Sequence, residues 1–202
     1  VVDDDGEVVG GDAVAHDDEV VELAVGDADR TVDGVIPRHA GLTDRLDYEA
    51  ELAVVLGKAA RDVKAADAAD YMFGYTILND VSARDLQTGH KQWYFGKSLD
   101  GFTPMGPVLV TADEIAYPPA LEITSRVNGE LRQKSNTALL ITSIGQILEE
   151  LTGGMTLLPG TIIATGTPAG VGMGFDPPRF LQSGDTVECA IEGIGTLCST
   201  VI

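Results

Sequence analysis

Short β-branched apolar runs, each closed by turn residues, set the hydrophobic pattern of this chain. Glu51-Leu52-Ala53-Val54-Val55-Leu56 and Tyr71-Met72-Phe73-Gly74-Tyr75-Thr76-Ile77-Leu78 read as strands. Leu121 to Val127 and Glu130 to Lys134 flank Asn128-Gly129, a pair suited to a type I′ turn, and read as a hairpin. Val187 to Ile191 and Leu197 to Ile202 read as a second hairpin, and Thr161 to Thr165 as a buried strand after Leu158-Pro159-Gly160. Helical spacing is rarer. Ile141, Ile144, Ile147, Leu148 and Leu151 mark one helix, ended by Gly153-Gly154. Arg61 to Ala69, rich in Ala and Asp, reads as a connecting helix, and Ser82 to Gln87 as a short one capped by Ser82. Lys91 to Pro107, rich in Gly and aromatics, reads as an ordered loop. Strands outnumber helices and βαβ alternation is absent, which predicts a β-rich α+β domain. Residues 1–43 are acidic and weakly patterned, so a small N-terminal lobe or lid is expected ahead of a main domain at 44–202.

Charge narrows the partners. The chain of 202 residues holds 32 Asp plus Glu against 13 Lys plus Arg, a net charge of −19. Such a surface repels phosphate backbones and anionic lipid, so neither nucleic acid nor membrane is an expected partner. The acids are dispersed (Asp3 to Asp5, Asp17 to Glu19, Asp27 to Asp33, Asp62 to Asp70), as expected of a protein from a high-salt cytoplasm where screening relieves self-repulsion. Retained structure after dialysis into low salt would sink that halophilic reading. No apolar run reaches the length of a membrane span, the start is acidic rather than signal-like, and the cytoplasm is the expected compartment. The chain opens on Val1, which allows for residues upstream. Cys189 and Cys198 flank Glu192-Gly193-Ile194-Gly195 symmetrically and could face each other across the hairpin, but free thiols are expected in that compartment.

The chemistry starts at Asp47-Tyr48-Glu49-Ala50-Glu51. Side chains alternate along a strand, so Glu49 and Glu51 share a face, roughly 6–7 Å apart. Like charges at that spacing repel unless a cation or solvent relieves them. Asp80 supplies a third oxygen if the two strands lie side by side. An oxygen-only set suits Mg²⁺, Mn²⁺ or Ca²⁺ rather than Zn²⁺, whereas a solvent-facing sheet in an acidic protein would need no metal at all. Gly-rich candidates fail: Gly170-Val171-Gly172-Met173-Gly174 runs into Phe175-Asp176-Pro177-Pro178 instead of a helix, and no Gly stands five positions before Gly96-Lys97-Ser98. His16, His39 and His90 are too scattered for a metal motif. His16-Asp17-Asp18-Glu19 places a carboxylate one helical turn from an imidazole, the arrangement that orients a general base toward water, although a solvated His in an acidic patch has the same spacing.

Asp47-Tyr48-Glu49-x-Glu51-Leu-Ala-Val-Val and Phe73-Gly74-Tyr75-Thr76-x-x-Asn79-Asp80-Val81-Ser82-Ala83-Arg84-Asp85-Leu86-Gln87 together resemble the fumarylacetoacetate hydrolase family. The likeness continues through Gly96-Lys97-Ser98-x-Asp100-Gly101-Phe102, Val127-Asn128-Gly129-Glu130-x-Arg132-Gln133, Leu158-Pro159-Gly160, Thr165-Gly166-Thr167-Pro168-x-Gly170-Val171-Gly172 and Ile191-Glu192-Gly193-Ile194-Gly195. The resemblance implies a β-roll of mixed sheets with a few helices, usually a homodimer. It implies Glu49, Glu51 and Asp80 as ligands of Mg²⁺ or Mn²⁺, and Lys97 beside the metal against developing enolate charge. It places Arg84, Gln87, Lys97 and Thr167 at the carboxylate and oxo groups of a 2-oxo acid. His16 and Glu19 match the family's water-activating pair in spacing, but Asp12 and Ala13 replace its usual Asn and Tyr. The implied activity is C–C hydrolysis of an acylpyruvate-type substrate. The alternatives are 2-hydroxyhepta-2,4-diene-1,7-dioate isomerisation or tautomerisation in aromatic breakdown, decarboxylation of an oxaloacetate-like acid, and a metal-binding homologue without catalysis.

Overall fold

The computed structural model describes residues 31–89 and 92–202. The strands, in chain order, are β1 (Thr31–Ile36), β2 (Leu46–Asp47), β3 (Ala50–Leu56), β4 (Met72–Asn79), β5 (Ser82–Ala83), β6 (Met105–Thr111), β7 (Glu122–Val127), β8 (Glu130–Asn136), β9 (Ile162–Ala164), β10 (Thr186–Ile191) and β11 (Gly195–Val201). The α-helices among the described residues are α1 (Arg84–Gly89) and α2 (Ile144–Gly154). Sheet one runs β1-β11-β10-β7-β8, and sheet two runs β6-β4-β3-β9. A short antiparallel pair, β2-β5, stands beside them. The β-rich α+β class expected from the pattern is what forms.

Burial explains why the two kinds of strand look different in sequence. Along β10 and β11 buried and half-buried residues alternate, because one face lies on the core and the other faces out. β3 and β4 are buried almost throughout, so their runs are continuously apolar. β3, β4 and β6 meet β7, β10 and β11 face to face, and the shared core includes Leu52, Tyr75, Ile77, Val187, Leu197 and Val201. Each fully buried aliphatic or aromatic side chain there contributes roughly 1.5–3 kcal/mol. β1 extends the first sheet by pairing parallel with β11, Thr31 opposite Thr196 through Ile36 opposite Val201. A short segment can dock this way without a hairpin because β11 offers an unpaired edge.

Several local expectations shift. The Asn128-Gly129 hairpin forms with both residues at positive φ, 51° and 78°, as a type I′ turn requires. α2 starts at Ile144 rather than Ile141: Ser143 caps it and exchanges a capping box with Gln146, which leaves Ile141 fully exposed ahead of it. Arg61 to Ala69 has no apolar stripe to dock an α-helix, and the observed element is a 3-10 helix over Ala65–Tyr71 that buries only Ala68. Ser82 is not a cap. It lies in β5 opposite Asp47, and its hydroxyl donates to the Asp80 carbonyl at 3.0 Å. The cysteines do not face each other either. Ile191 pairs with Gly195, which sets Cys189 opposite Leu197 and Cys198 opposite Glu188, so the two side chains point to opposite faces. Neither cysteine is in a disulfide, and burial pushes the Cys189 thiol up to about 12. No helix among the described residues is long and apolar enough to cross a membrane.

Candidate active site

The ends of β3 and β4 are clipped together at the point where the acids sit. Asp80 N–H donates to the Glu49 carbonyl at 2.9 Å, and Glu49 N–H donates to Asn79 Oδ1 at 2.9 Å. This brings one carboxylate oxygen each of Glu49, Glu51 and Asp80 within 4.8 Å of one another. The strand adjacency that the Asp80 reading required is therefore present. Glu51 Oε2 accepts from Gly166 N–H at 2.8 Å, yet burial, with Asp80 and Glu49 adding their charge, raises its carboxyl from 4.5 to about 7. Burial also pushes the Asp80 carboxyl up, against the pull of Lys97.

Two cations enter from the segment after β4. Lys97 Nζ lies 2.8 Å from Glu49 Oε2 and 2.6 Å from Asp80 Oδ2. Lys97 ends the 3-10 turn Trp93–Lys97, which packs backbone against backbone on α1: a Cβ on Gly96 would come within 2.5 Å of Gln87 N and 2.8 Å of the Ala83 carbonyl. Only glycine lets that turn approach. Arg84, nearly fully buried, places Nη1 2.6 Å from Glu49 Oε1 and 3.1 Å from Gln87 Oε1, and Nε 2.9 Å from Asp47 Oδ2. Burial would pull its guanidinium pKa down, but Asp47 and Glu49 outweigh it and hold it raised. Arg84 Nη2 is buried with no hydrogen-bond partner.

These groups border one cavity of about 620 Å³, lined by Glu49, Glu51, Asp80, Arg84, Gln87 and Lys97, with Thr88, Trp93, Gly166, Thr167 and Met173 completing its walls. Every candidate site residue at or beyond Glu49 is thus gathered in one place. His16 and Glu19 lie outside the described residues. Thr167 Oγ1 donates to the Ala50 carbonyl at 2.9 Å and accepts from Gln133 Nε2 at 2.8 Å, so its one proton is committed within the wall.

The donor set fits a hard divalent cation. It offers only carboxylate oxygens, and a cation at the triad would favour the ionised form of Glu51, whose carboxyl is raised first by burial and then by the charges of Asp80 and Glu49. Two residues of the site carried no role in the sequence reading. Asp47 is fully buried and accepts from Tyr48, Gly172 and Met173 N–H as well as from Arg84. Gln133, also fully buried, accepts from Ala50 N–H and donates to Thr167 and the Pro168 carbonyl, tying the 165–168 segment to β3.

Comparison with known proteins agrees with this geometry. The chain is 53% identical over 167 residues to the oxaloacetate tautomerase YisK of Bacillus subtilis, covering 83% of this chain and 56% of that protein. It overlays a fumarylacetoacetate hydrolase from the psychrophile Exiguobacterium antarcticum with a TM-score of 0.81 at 51% identity, over 86% of this chain and 63% of that one. A 2-hydroxyhepta-2,4-diene-1,7-dioate isomerase from Mycobacterium marinum overlays with a TM-score of 0.74 at 43% identity, over 86% and 65%. The chain therefore spans about half the length of the curated relatives it matches. Residues 14–202 match the fumarylacetoacetate (FAA) hydrolase C-terminal family, and the chain belongs to it.

Proposed function

We propose that the protein is a Mg²⁺- or Mn²⁺-dependent enzyme that interconverts the keto and enol forms of a small 2-oxo acid, with oxaloacetate its first candidate substrate. The observation that carries this reading is the pairing of an acidic cation site with a buried guanidinium and an ammonium on the wall of one cavity. When bound, a divalent cation supplies positive charge that lowers the cost of enolising a 2-oxo acid. Arg84 and Gln87 supply the donors that seat the substrate carboxylate: Gln87 spends its carbonyl on Arg84, which leaves its amide N–H groups for a ligand. Lys97 holds its ammonium where negative charge develops on the 2-oxo oxygen, and Trp93 and Met173 narrow the space around the rest of the substrate. The tautomerase named among the relatives supports oxaloacetate, and the diene-dioate isomerase supports the same proton shift on a longer acid. We further expect a homodimer, with no nucleic-acid or membrane partner.

Hydrolysis of an acylpyruvate is the second reading, carried by the His16-x-x-Glu19 spacing. It shares the same enolate chemistry but needs a base that activates water.

The test follows the ultraviolet absorbance of oxaloacetate enol, in parallel with acetylpyruvate cleavage, at high salt with and without Mg²⁺. Mg²⁺-dependent acceleration of oxaloacetate tautomerisation, lost in Glu49→Gln, is the expected result. Cleavage of acetylpyruvate that disappears in His16→Ala would place the enzyme among the hydrolases. No Mg²⁺-dependent effect on either compound would refute both readings.

A further inference from the structure

We infer that Asp47 is a positioning residue that aims the Arg84 guanidinium at the substrate and locks it to the cavity wall at Met173; this rests on the reading of Arg84 as a carboxylate-binding group. The Asp47 side chain is fully buried and that of Arg84 is 5% exposed, so their contact is shielded from competing water. The Asp47 carboxylate accepts at every side. Oδ1 takes Tyr48 N–H at 3.0 Å and Gly172 N–H at 2.6 Å, while Oδ2 takes Met173 N–H at 3.0 Å and Arg84 Nε at 2.9 Å. Three backbone donors fix the carboxylate, and the carboxylate fixes the guanidinium at its Nε. With Nε held, Nη1 is directed at Glu49 and Gln87, and Nη2 is the donor left without a partner.

The wall is matched to this arrangement. A Cβ on Gly172 would meet the Arg179 carbonyl at 2.3 Å and Asp47 Oδ1 at 2.7 Å, so the 172–173 backbone can close onto the carboxylate only with glycine there. Met173, the next residue, borders the cavity. One carboxylate therefore holds both the cation that seats the substrate and the backbone of Met173 on the cavity wall. Asp47 touches neither substrate nor the cation triad, and it acts through Arg84.

A double-mutant cycle tests this, with KM and kcat for oxaloacetate measured in saturating Mg²⁺ for wild type, Asp47→Asn, Arg84→Ala and the double variant, and unfolding followed on each. Asp47→Asn keeps the shape, leaves one acceptor oxygen in place of two with an NH2 facing two of the four donors, and removes the charge that holds Nε. It is expected to raise KM roughly tenfold or more with kcat nearly unchanged, the effect of loosening one charge-assisted contact. In the Arg84→Ala background the same change is expected to add nothing to KM. A KM unchanged by Asp47→Asn while Arg84→Ala raises it overturns the positioning role alone. Effects that multiply in the double variant also overturn it. A KM unmoved by Arg84→Ala overturns the carboxylate-binding reading together with this one. Should Asp47→Asn fail to fold, Arg84→Lys decides: an ammonium cannot reach Asp47, Glu49 and a ligand at once, so KM rises as in Arg84→Ala, and a KM within about twofold of wild type refutes the inference.

Discussion

Replacing Glu51 by Gln should stabilise the metal-free protein at alkaline pH, the opposite of what removing a buried contact usually does. The Glu51 carboxyl stands at about 7 in the folded protein against 4.5 in an open chain. Its protonated form is therefore favoured by folding. That contribution is complete below pH 4.5, fades as the pH rises, and is gone above about 7. At about 1.4 kcal/mol per pH unit the difference amounts to about 3 kcal/mol. Gln carries no charge, keeps an oxygen for Gly166 N–H, and so escapes the loss. In a chain of 202 residues, 3 kcal/mol corresponds to a shift of about 6–12 °C in Tm. The assay is unfolding of both proteins in EDTA at pH 5 and pH 8, in high KCl to screen the surface acids. Glu51→Gln should exceed wild type at pH 8, with most of that advantage gone at pH 5. Saturating Mg²⁺ should then raise wild type at pH 8 and leave the variant where it was, because a ligand has gone. Equal stabilities at pH 8 in EDTA would refute the electrostatic account of the triad.

Other outcomes follow from the same geometry. Divalent affinity should fall by up to tenfold for each pH unit below about 7, as Glu51 takes up a proton, measured by calorimetric titration of Mn²⁺ at stepped pH. Lys97→Met should cut tautomerase turnover by roughly 100-fold or more while Mn²⁺ still binds, since the ammonium bears on developing charge rather than on cation retention. Gly172→Ala should lower both Tm and substrate affinity, because its Cβ collides with the Arg179 carbonyl and Asp47; unchanged unfolding would contradict the close approach.

Much of the site could be read before the fold, and the reason is local. Glu49 and Glu51 stand two apart at the head of an apolar run, so period-two alternation alone puts them on one face. Asp80 follows directly on the neighbouring strand, which makes the third ligand a matter of one pairing. Asn128-Gly129 likewise named its own turn. What escaped depends on partners far away in sequence. Asp47 meets Gly172 and Met173, and Gln133 meets Ala50 and Thr167, contacts that no local pattern encodes. The cysteines were misjudged by one position, because symmetry about a turn does not fix register, and one residue reverses the face. The Ala- and Asp-rich stretch looked helical by propensity, but without an apolar stripe tertiary packing settled on a 3-10 helix at Ala65–Tyr71.

The central claim is a single divalent cation held by Glu49, Glu51 and Asp80. Calorimetric titration of Mn²⁺ into the metal-stripped protein at pH 8 addresses it most directly. The account predicts one site per chain in wild type and none of comparable affinity in Asp80→Asn. Undiminished binding by that variant, or no binding by wild type, would contradict it.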